Sequence, residues 1–548
     1  MLSNFKQFVK DIKPFFLPAG RHGNSPLEKG RGVGFWLLLG NVVLVFFLIL
    51  LNNLGVIPLR EGDFIFFTFL ILALALYRPG WVFLFFIGLI PLEIINLAPA
   101  TFGITIRPYQ LVGALIILSI IVRFFSRKLN FKLAKLKWPD YLLMVIVASA
   151  FLSALANMKT GMGAMKLSLI LASFAALYFL VRNYIQNIDD LKKVIPFFLS
   201  SSVVIVLYGI WQNIQFMQGF NGFEAMPGRP NATFTEADWL GIYLALLLSV
   251  GYILVYFFQL KLENNTEKIT NSKIYKIFLF CFLVFCFILL IITVSRSAWL
   301  GAFVSLGVFL VAIFTNLKID LKNLEWGETI KTKLVIVPAL VVAVIAIYIF
   351  HLTNFQLGNR IQSTGSGQQK ITVSCEEKID LPESVESVAD LDQYNCRHIN
   401  LEEIDSEKAN GKYISEIFRK DPNVSIRSQI YRKSWEEIKK HPILGIGWGN
   451  IGNVLGQDER GATLNSSNIF LEVWLGSGIL GIASFVILLA YILVRAIKIF
   501  YLTENYPQKI FGLFLLVSWF AIVVPNLFNA GIMLGFLWVW LAIVQAEN

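Results

Sequence analysis

From Phe35 onward the chain repeats one pattern: a long apolar run, then a short polar break. Runs of about 18 or more apolar residues match the hydrocarbon thickness of a bilayer when helical. The pattern predicts about fourteen crossings by that criterion. They start near Phe35, Phe64, Gly80, Tyr109, Tyr141, Met165, Val194, Trp239, Ile274, Ala298, Leu334, Ser467, Ile510 and Phe528. Several fall short of about 20 residues and predict tilted, broken or re-paired segments, giving a range of about 12–14 spans. The expected fold is therefore all-α: a polytopic transmembrane helical bundle with one large extracytoplasmic loop containing short helices.

Two stretches depart from the pattern and set the domain plan. Residues 1–34 read as a basic tail carrying Lys6, Lys10, Lys13, Arg21, Lys29 and Arg31, without the short apolar core of a cleavable signal peptide. Residues 352–466 read as the large loop between helices in 35–351 and helices in 467–548. Within that loop, 366–412 is rich in Glu, Asp, Gln, Ser and Lys and shows little periodicity. It reads as partly disordered or as an insertion.

Composition agrees with a membrane protein. The chain is 56% hydrophobic and only 15% charged, against roughly 25% charged in globular proteins. The net charge of +11 is then a topology signal, not a nucleic-acid footprint, because Lys and Arg gather in cytoplasmic connections. Arg123 to Lys137, Lys192 with Lys193, Lys261 to Lys276, Lys318 to Lys333, and Arg495 to Lys509 mark such connections. Successive clusters are two spans apart. Both termini are then cytoplasmic, and the segments around Arg229, Arg296 and 352–465 emerge on the outer face. Cys281 and Cys286 lie in an apolar run and read as packing residues. Cys375 and Cys396 share the outer loop; a disulfide and two free thiols both fit their spacing.

Three outer segments concentrate candidate chemistry. In PGRPNATFTEAD, glycine and two prolines fix a turn that aims Arg229; a snorkelling arginine on an ordinary loop is the plain alternative. In TVSRSAW, Arg296 lies between two apolar runs with almost no linker. A charge at mid-bilayer costs on the order of 2.5–3.5 kcal/mol, so an arginine there calls for a partner or a ligand. An interfacial anchor beside Trp299 is the alternative. In RSQIYRKSWEEIKKHPILGIGWGN, Arg427 opens an amphipathic helix whose Tyr431, Trp435 and Ile438 share one face. Pro442 ends it, and Gly445, Gly447 and Gly449 permit a sharp turn or close approach to a ligand. A solvated helix lying on the membrane is the alternative. Guanidinium groups match phosphate oxygens as planar forks, and at a departing diphosphate they stabilise the developing charge. Four histidines, no HExxH and no cysteine cluster with zinc spacing leave no metal set, and a Walker A sequence is missing. No cofactor is expected.

In this order, GRPNATF, TVSRSAWLGAFVSL, and RSQIYRKSWEEIKKHPILGIGWGN with NIFLEVWLGSGILG resemble the O-antigen ligase / O-antigen polymerase superfamily of bacterial envelope proteins. The likeness covers roughly 225–481. It implies a multi-pass protein of the bacterial cytoplasmic (inner) membrane, with glycosyl transfer on the extracytoplasmic side by a GT-C-like enzyme. The implied donor is a glycan on undecaprenyl diphosphate. The implied acceptor is a sugar hydroxyl, on lipid A–core for a ligase or on a growing glycan for a polymerase. Carried over by residue, Arg229, Arg296 and Arg427 hold the diphosphate. Ser467 and Asn468 stand where ligases carry His-Asn. An unassisted serine is a poor base, so Glu472, His441 or Glu236 must replace it, and this tilts the resemblance slightly toward polymerase. Catalytic candidates are thus Arg229, Arg296, Arg427, Glu472, Ser467 and Asn468, with Glu236, Trp435, His441, Gly445 and Gly447 as substrate contacts. A transporter of bicarbonate or lipid-linked glycan, and a non-catalytic assembly component, are the competing classes. Transporters place charged groups at mid-membrane, whereas these arginines gather at one face. Sugar identity, linkage and oligomeric state are left open.

Overall fold

The computed structural model describes residues 33–129, 131–157, 162–226, 228–263, 272–316, 326–352, 368–386, 388–399, 404–420, 422–456 and 463–546. The basic tail up to Arg31, the lysines at 318–323 and Pro227 lie outside the described residues. Helices follow the apolar runs: α1 (Val33–Asn53), α2 (Glu61–Tyr77), α3 (Pro79–Leu89), α4 (Pro108–Phe125), α5 (Trp138–Ala156), α6 (Gly163–Tyr184), α7 (Ile188–Met217), α8 (Ala237–Glu263), α9 (Ser272–Ile292), α10 (Arg296–Asn316) and α11 (Trp326–Ile349). After the outer loop come α15 (Ile469–Leu502), α16 (Tyr506–Asn526) and α17 (Gly535–Ile543). Among the described residues, nine helices are long and apolar enough to cross a membrane. An all-α polytopic bundle is borne out.

Proline in the first turn starts α3, α4, α5 and α16, where its missing N–H costs nothing. Two of the predicted spans are short. α3 has 11 residues and α17 has 9, because irregular segments at 90–107 and 527–534 replace their outer turns. α8 is the central helix: 83% of its apolar window is buried, against 17% for α1.

Polar contacts sort the connections onto two faces. On one, Lys137 Nζ donates to Gln545 O (3.2 Å), and Arg495 donates to Gln545 Oε1 (3.3 Å) and Ala546 O (2.9 Å). The C-terminal end therefore shares a face with the α4–α5 and α15–α16 connections. On the other, the N–H groups of Glu93 and Ile94 donate to Thr233 O at 2.9 and 2.8 Å. Asn157 Nδ2 there donates to Gly445 O (3.2 Å). This grouping matches the alternation of charge along the chain.

The loop between α11 and α15 holds more order than its composition suggests. β1 (Gln368–Cys375), β2 (Ser384–Val385), β3 (Cys396–Ile399) and β4 (Tyr413–Lys420) form one sheet in the order β2-β4-β1-β3. Most of the stretch that reads as disordered or inserted is thus a folded module. Ile371, Val373 and Cys375 alternate inward from β1 and meet Leu391, Cys396 and Ile417 in a separate small core. Their period of two is diluted by the polar residues between them. Cys375 pairs with Cys396 across β1 and β3, and the two form a disulfide. Three short helices follow, α12 (Ile404–Ala409), α13 (Pro422–Lys440) and α14 (Ile451–Leu455).

The disulfide closes a loop of sequence separation 21, a constraint worth about 3 kcal/mol. Replacing both cysteines by alanine is expected to open 368–420 to limited proteolysis while the helical bundle stays intact. Unchanged cleavage kinetics would show that the sheet holds without the bridge.

Candidate functional site

The arginine-bearing segments meet at the N-terminal end of α8. Gly228 turns the chain at φ 70° and delivers Arg229 into the protein, where it is 8% exposed. Its Nε donates to Thr293 O (3.1 Å) and its Nη2 to Asp238 Oδ2 (3.4 Å). Asp238 lies in the first turn of α8, where a negative charge also faces the positive end of the helix dipole. Its Nη1 also reaches Met226 Sδ (3.7 Å), so Arg229 ties its loop to both α8 and the α9–α10 turn, and Nε, Nη1 and Nη2 each have a protein partner. Below it, Arg107 pairs with Glu93 at 3.0 Å, and Glu93 also accepts from Gly535 N–H at 2.7 Å. Burial pushes the Glu93 carboxyl up, against the pull of Arg107.

Arg296 is the first residue of α10. The turn before it needs Val294 at φ 54°, a strained conformation for a β-branched residue. This turn puts Ser295 Oγ on Asp238 Oδ1 at 2.5 Å and within 3.3 Å of Ser297 Oγ. Asn529 Nδ2 donates to Ser297 Oγ (2.9 Å). α8 and α10 approach so closely here that a Cβ on Gly241 would meet Ala298 Cβ at 2.5 Å. The two apolar runs around TVSRSAW are thus separate helices joined by a tight turn, as the topology requires.

Arg427 sits in the first half of α13, half-buried, and its charge acts on both Tyr431 and Asp238. Tyr431 OH donates to Ser467 O (3.2 Å). Burial pushes the Tyr431 phenol up, and Arg427 pulls it the other way. The packed face of α13 is Ile430, Ser434 and Ile438, with Tyr431 at its margin. Trp435, expected on that face and in the site, is 46% exposed and packs edge-on against Trp474. The helix stops before Pro442, as expected.

The glycine turn docks on protein. Gly445 and Gly447 adopt φ 72° and 85°, and α15 breaks helical geometry at Gly478, φ 64°. The N–H groups of Ile446 and Gly447 donate to Leu475 O, and Ile479 N–H donates to Ile443 O. A Cβ on Gly445 would lie 2.4 Å from Leu475 O. The close approach that Gly445 and Gly478 allow is therefore between this turn and the backbone of α15, whereas a Cβ on Gly447 would meet Ala164 Cβ of α6 at 3.0 Å. His441 and Glu236 are exposed at the margins of the site.

Ser467 adopts φ 49° and leads into Asn468, whose Oδ1 caps α15 by accepting from Phe470 and Leu471 N–H. Asn468 Nδ2 reaches Leu527 O (3.0 Å). Glu472 Oε2 accepts from Ser466 N–H (2.8 Å), which fixes its carboxylate next to Ser467 and pairs it with the loop backbone. The 527–529 turn thus joins Asn468 on one side to Ser297 on the other. Asp238, Asn529 and Leu527 were not among the expected site residues. The signal for Asp238 was an acid at the start of an otherwise apolar helix; Asn529 and Leu527 gave none. Among the described residues, no group of three or more His, Cys, Asp or Glu could hold a metal ion.

Residues 279–486 match the family model described as O-Antigen ligase. This region is similar to O-antigen ligases. The match covers less than half of the chain and contains Arg296, Arg427, Ser467, Asn468 and Glu472; Arg229 lies before it. Over those residues it supports a relation to the O-antigen ligase/polymerase superfamily and glycosyl transfer of that type in general. No curated protein matches the chain.

Two outcomes follow from this geometry. Gly478→Ala puts a Cβ 2.0 Å from Ile443 O at a positive φ. It should lower the thermal midpoint and release 443–449 to proteolysis; a variant as stable as the parent would mean that the fold does not need this docking. Among the described residues, Glu224 Oε2 accepts from Gly228 N–H at 2.8 Å and Oε1 is buried without a partner. Burial raises its carboxyl to about 7. A raised carboxyl favours the folded state while protonated, and that contribution fades as pH rises from about 4.5 through about 7. Glu224→Gln should therefore raise the thermal midpoint more at pH 8 than at pH 5, roughly the two ends of that window.

Proposed function

We propose that this protein transfers a glycan from a lipid-linked diphosphate to a sugar hydroxyl on the extracytoplasmic face of the bacterial inner membrane. Undecaprenyl diphosphate is the proposed carrier, with either lipid A–core or a growing glycan as acceptor. The observation that supports this most is the gathering of Arg229, Arg296 and Arg427, from separate parts of the chain, around one end of α8. The bond from the sugar's anomeric carbon to the diphosphate oxygen breaks, and the acceptor oxygen bonds to that carbon. The diphosphate leaves with the electron pair, and guanidinium charge offsets its growing negative charge. Arg229, Arg296 and Arg427 are the proposed contacts to the diphosphate.

The acceptor hydroxyl must lose a proton. Glu472 is the proposed base, because it stands on the first turn of α15 beside Ser467 and Asn468, with its carboxylate held by Ser466. Glu236 and His441 are solvent-exposed and serve this role less well, since a base must be held at a fixed reach from the hydroxyl. Asn468 and Ser467 shape the entry to α15.

Arg296→Lys keeps a positive charge and removes the planar fork. Transfer should fall by about 100-fold, the scale of losing one transition-state donor. Glycan chain length on cells carrying the variant measures this; wild-type chains would rule out a direct role for Arg296. Mass analysis of glycan from a deletion strain separates the two acceptors. Single repeats left on the lipid indicate a polymerase, and full-length chains stranded on the diphosphate indicate a ligase.

A further inference from the structure

Asp238 joins all three arginine segments. Its Oδ2 accepts from Arg229, its Oδ1 from Ser295 in the turn before Arg296, and the charge of Arg427 acts on it. Arg229 is nearly inaccessible, whereas the Asp238 side chain is 27% exposed. Its contact with Arg229 is a single 3.4 Å bond, longer than a well-formed charge-assisted pair and not bidentate. The bond to Ser295, at 2.5 Å, is the tight one. A carboxylate held firmly by a neutral hydroxyl and loosely by a cation is placed to give up the cation.

We propose that Asp238 is a resident counter-anion, whose carboxylate occupies in the unloaded site the position that a diphosphate oxygen takes between Arg229 and Arg427. This rests on the reading that the arginines bind the donor's diphosphate. Without an anion, Arg229 would be a buried unpaired cation facing a second guanidinium, a costly arrangement. Asp238 removes that cost while the site is empty. When a diphosphate arrives, it meets both the attraction of the arginines and the repulsion of the resident charge. Asp238 pivots on Ser295 and leaves Arg229 to the incoming oxygen. Donor binding is thereby weakened, and release of the diphosphate product is eased by the same factor.

Inorganic pyrophosphate is the probe, titrated against the purified full chain in detergent and followed by calorimetry. Asp238→Asn keeps the shape and removes the charge, so it should bind pyrophosphate about tenfold more tightly, as expected for removing one partly screened repulsion. Asp238→Glu, which keeps the charge, should stay within about threefold of the parent on the same scale. If Asp238→Asn does not fold, Asp238→Ser carries the same expectation. A folded Asp238→Asn or Asp238→Ser protein that binds pyrophosphate no tighter than the parent overturns the counter-anion. If the parent itself binds none, or Arg427→Ala leaves binding unchanged, the arginine reading fails and takes this inference with it.

Discussion

Guanidinium groups brought together at the edge of a low-dielectric medium repel, and packing alone does not hold them. The structure places the carboxylate of Asp238 at the start of the most buried of the nine candidate spans among the described residues. Asp238 faces Arg229 directly and lies within the field of Arg427, while Ser295 fixes its far oxygen. Because Ser295 belongs to the turn that begins α10, the same contact sets where Arg296 emerges. Three remote segments thus acquire a common origin. The dipole of α8 points its positive end at the same carboxylate, which lowers the cost of keeping it ionised.

The second support is backbone on backbone. α13 is anchored less by its apolar face than by the turn that follows it, which lies directly on the break in α15. Side chains would hold the two apart. With glycine at 445, 447 and 478, the carbonyl of Leu475 satisfies donors from the turn, and Ile443 satisfies one from α15. The cationic helix α13 is thereby registered to the bundle at hydrogen-bond precision. Asn468 then links the same end of α15 to the 527–529 turn, which closes the frame on the Ser297 side.

Much of this was legible in the letters. Hydropathy located the helices, and alternation of basic connections sorted their ends, because both signals are local and additive. The tight turn at Arg296 followed from the same alternation. Four features were hidden. The sheet at 368–420 was masked because polar residues on its outer side outnumber the alternating Ile371, Val373 and Cys375. The glycines of the turn were legible as a site of close approach, but a sequence does not say whether ligand or protein approaches. Trp435 had the right helical phase and still points mostly to solvent, since the partner surface ends at Trp474. Asn529 matters only through a contact 232 residues away, and no local pattern encodes such a pairing.

The shortness of α17 carries a further consequence. Its first residue, Gly535, touches Glu93 beneath the arginine loop, and Gln545 touches Arg495 on the opposite face. At about 1.5 Å of rise per residue this interval is about 15 Å, half the roughly 30 Å of hydrocarbon in a bilayer. The segment that carries Glu93 therefore reaches to within about half a hydrocarbon thickness of the Arg495 face. Non-helical backbone that close to the opposite face needs protein partners, and residues 90–107 find them in Thr233 and Gly535.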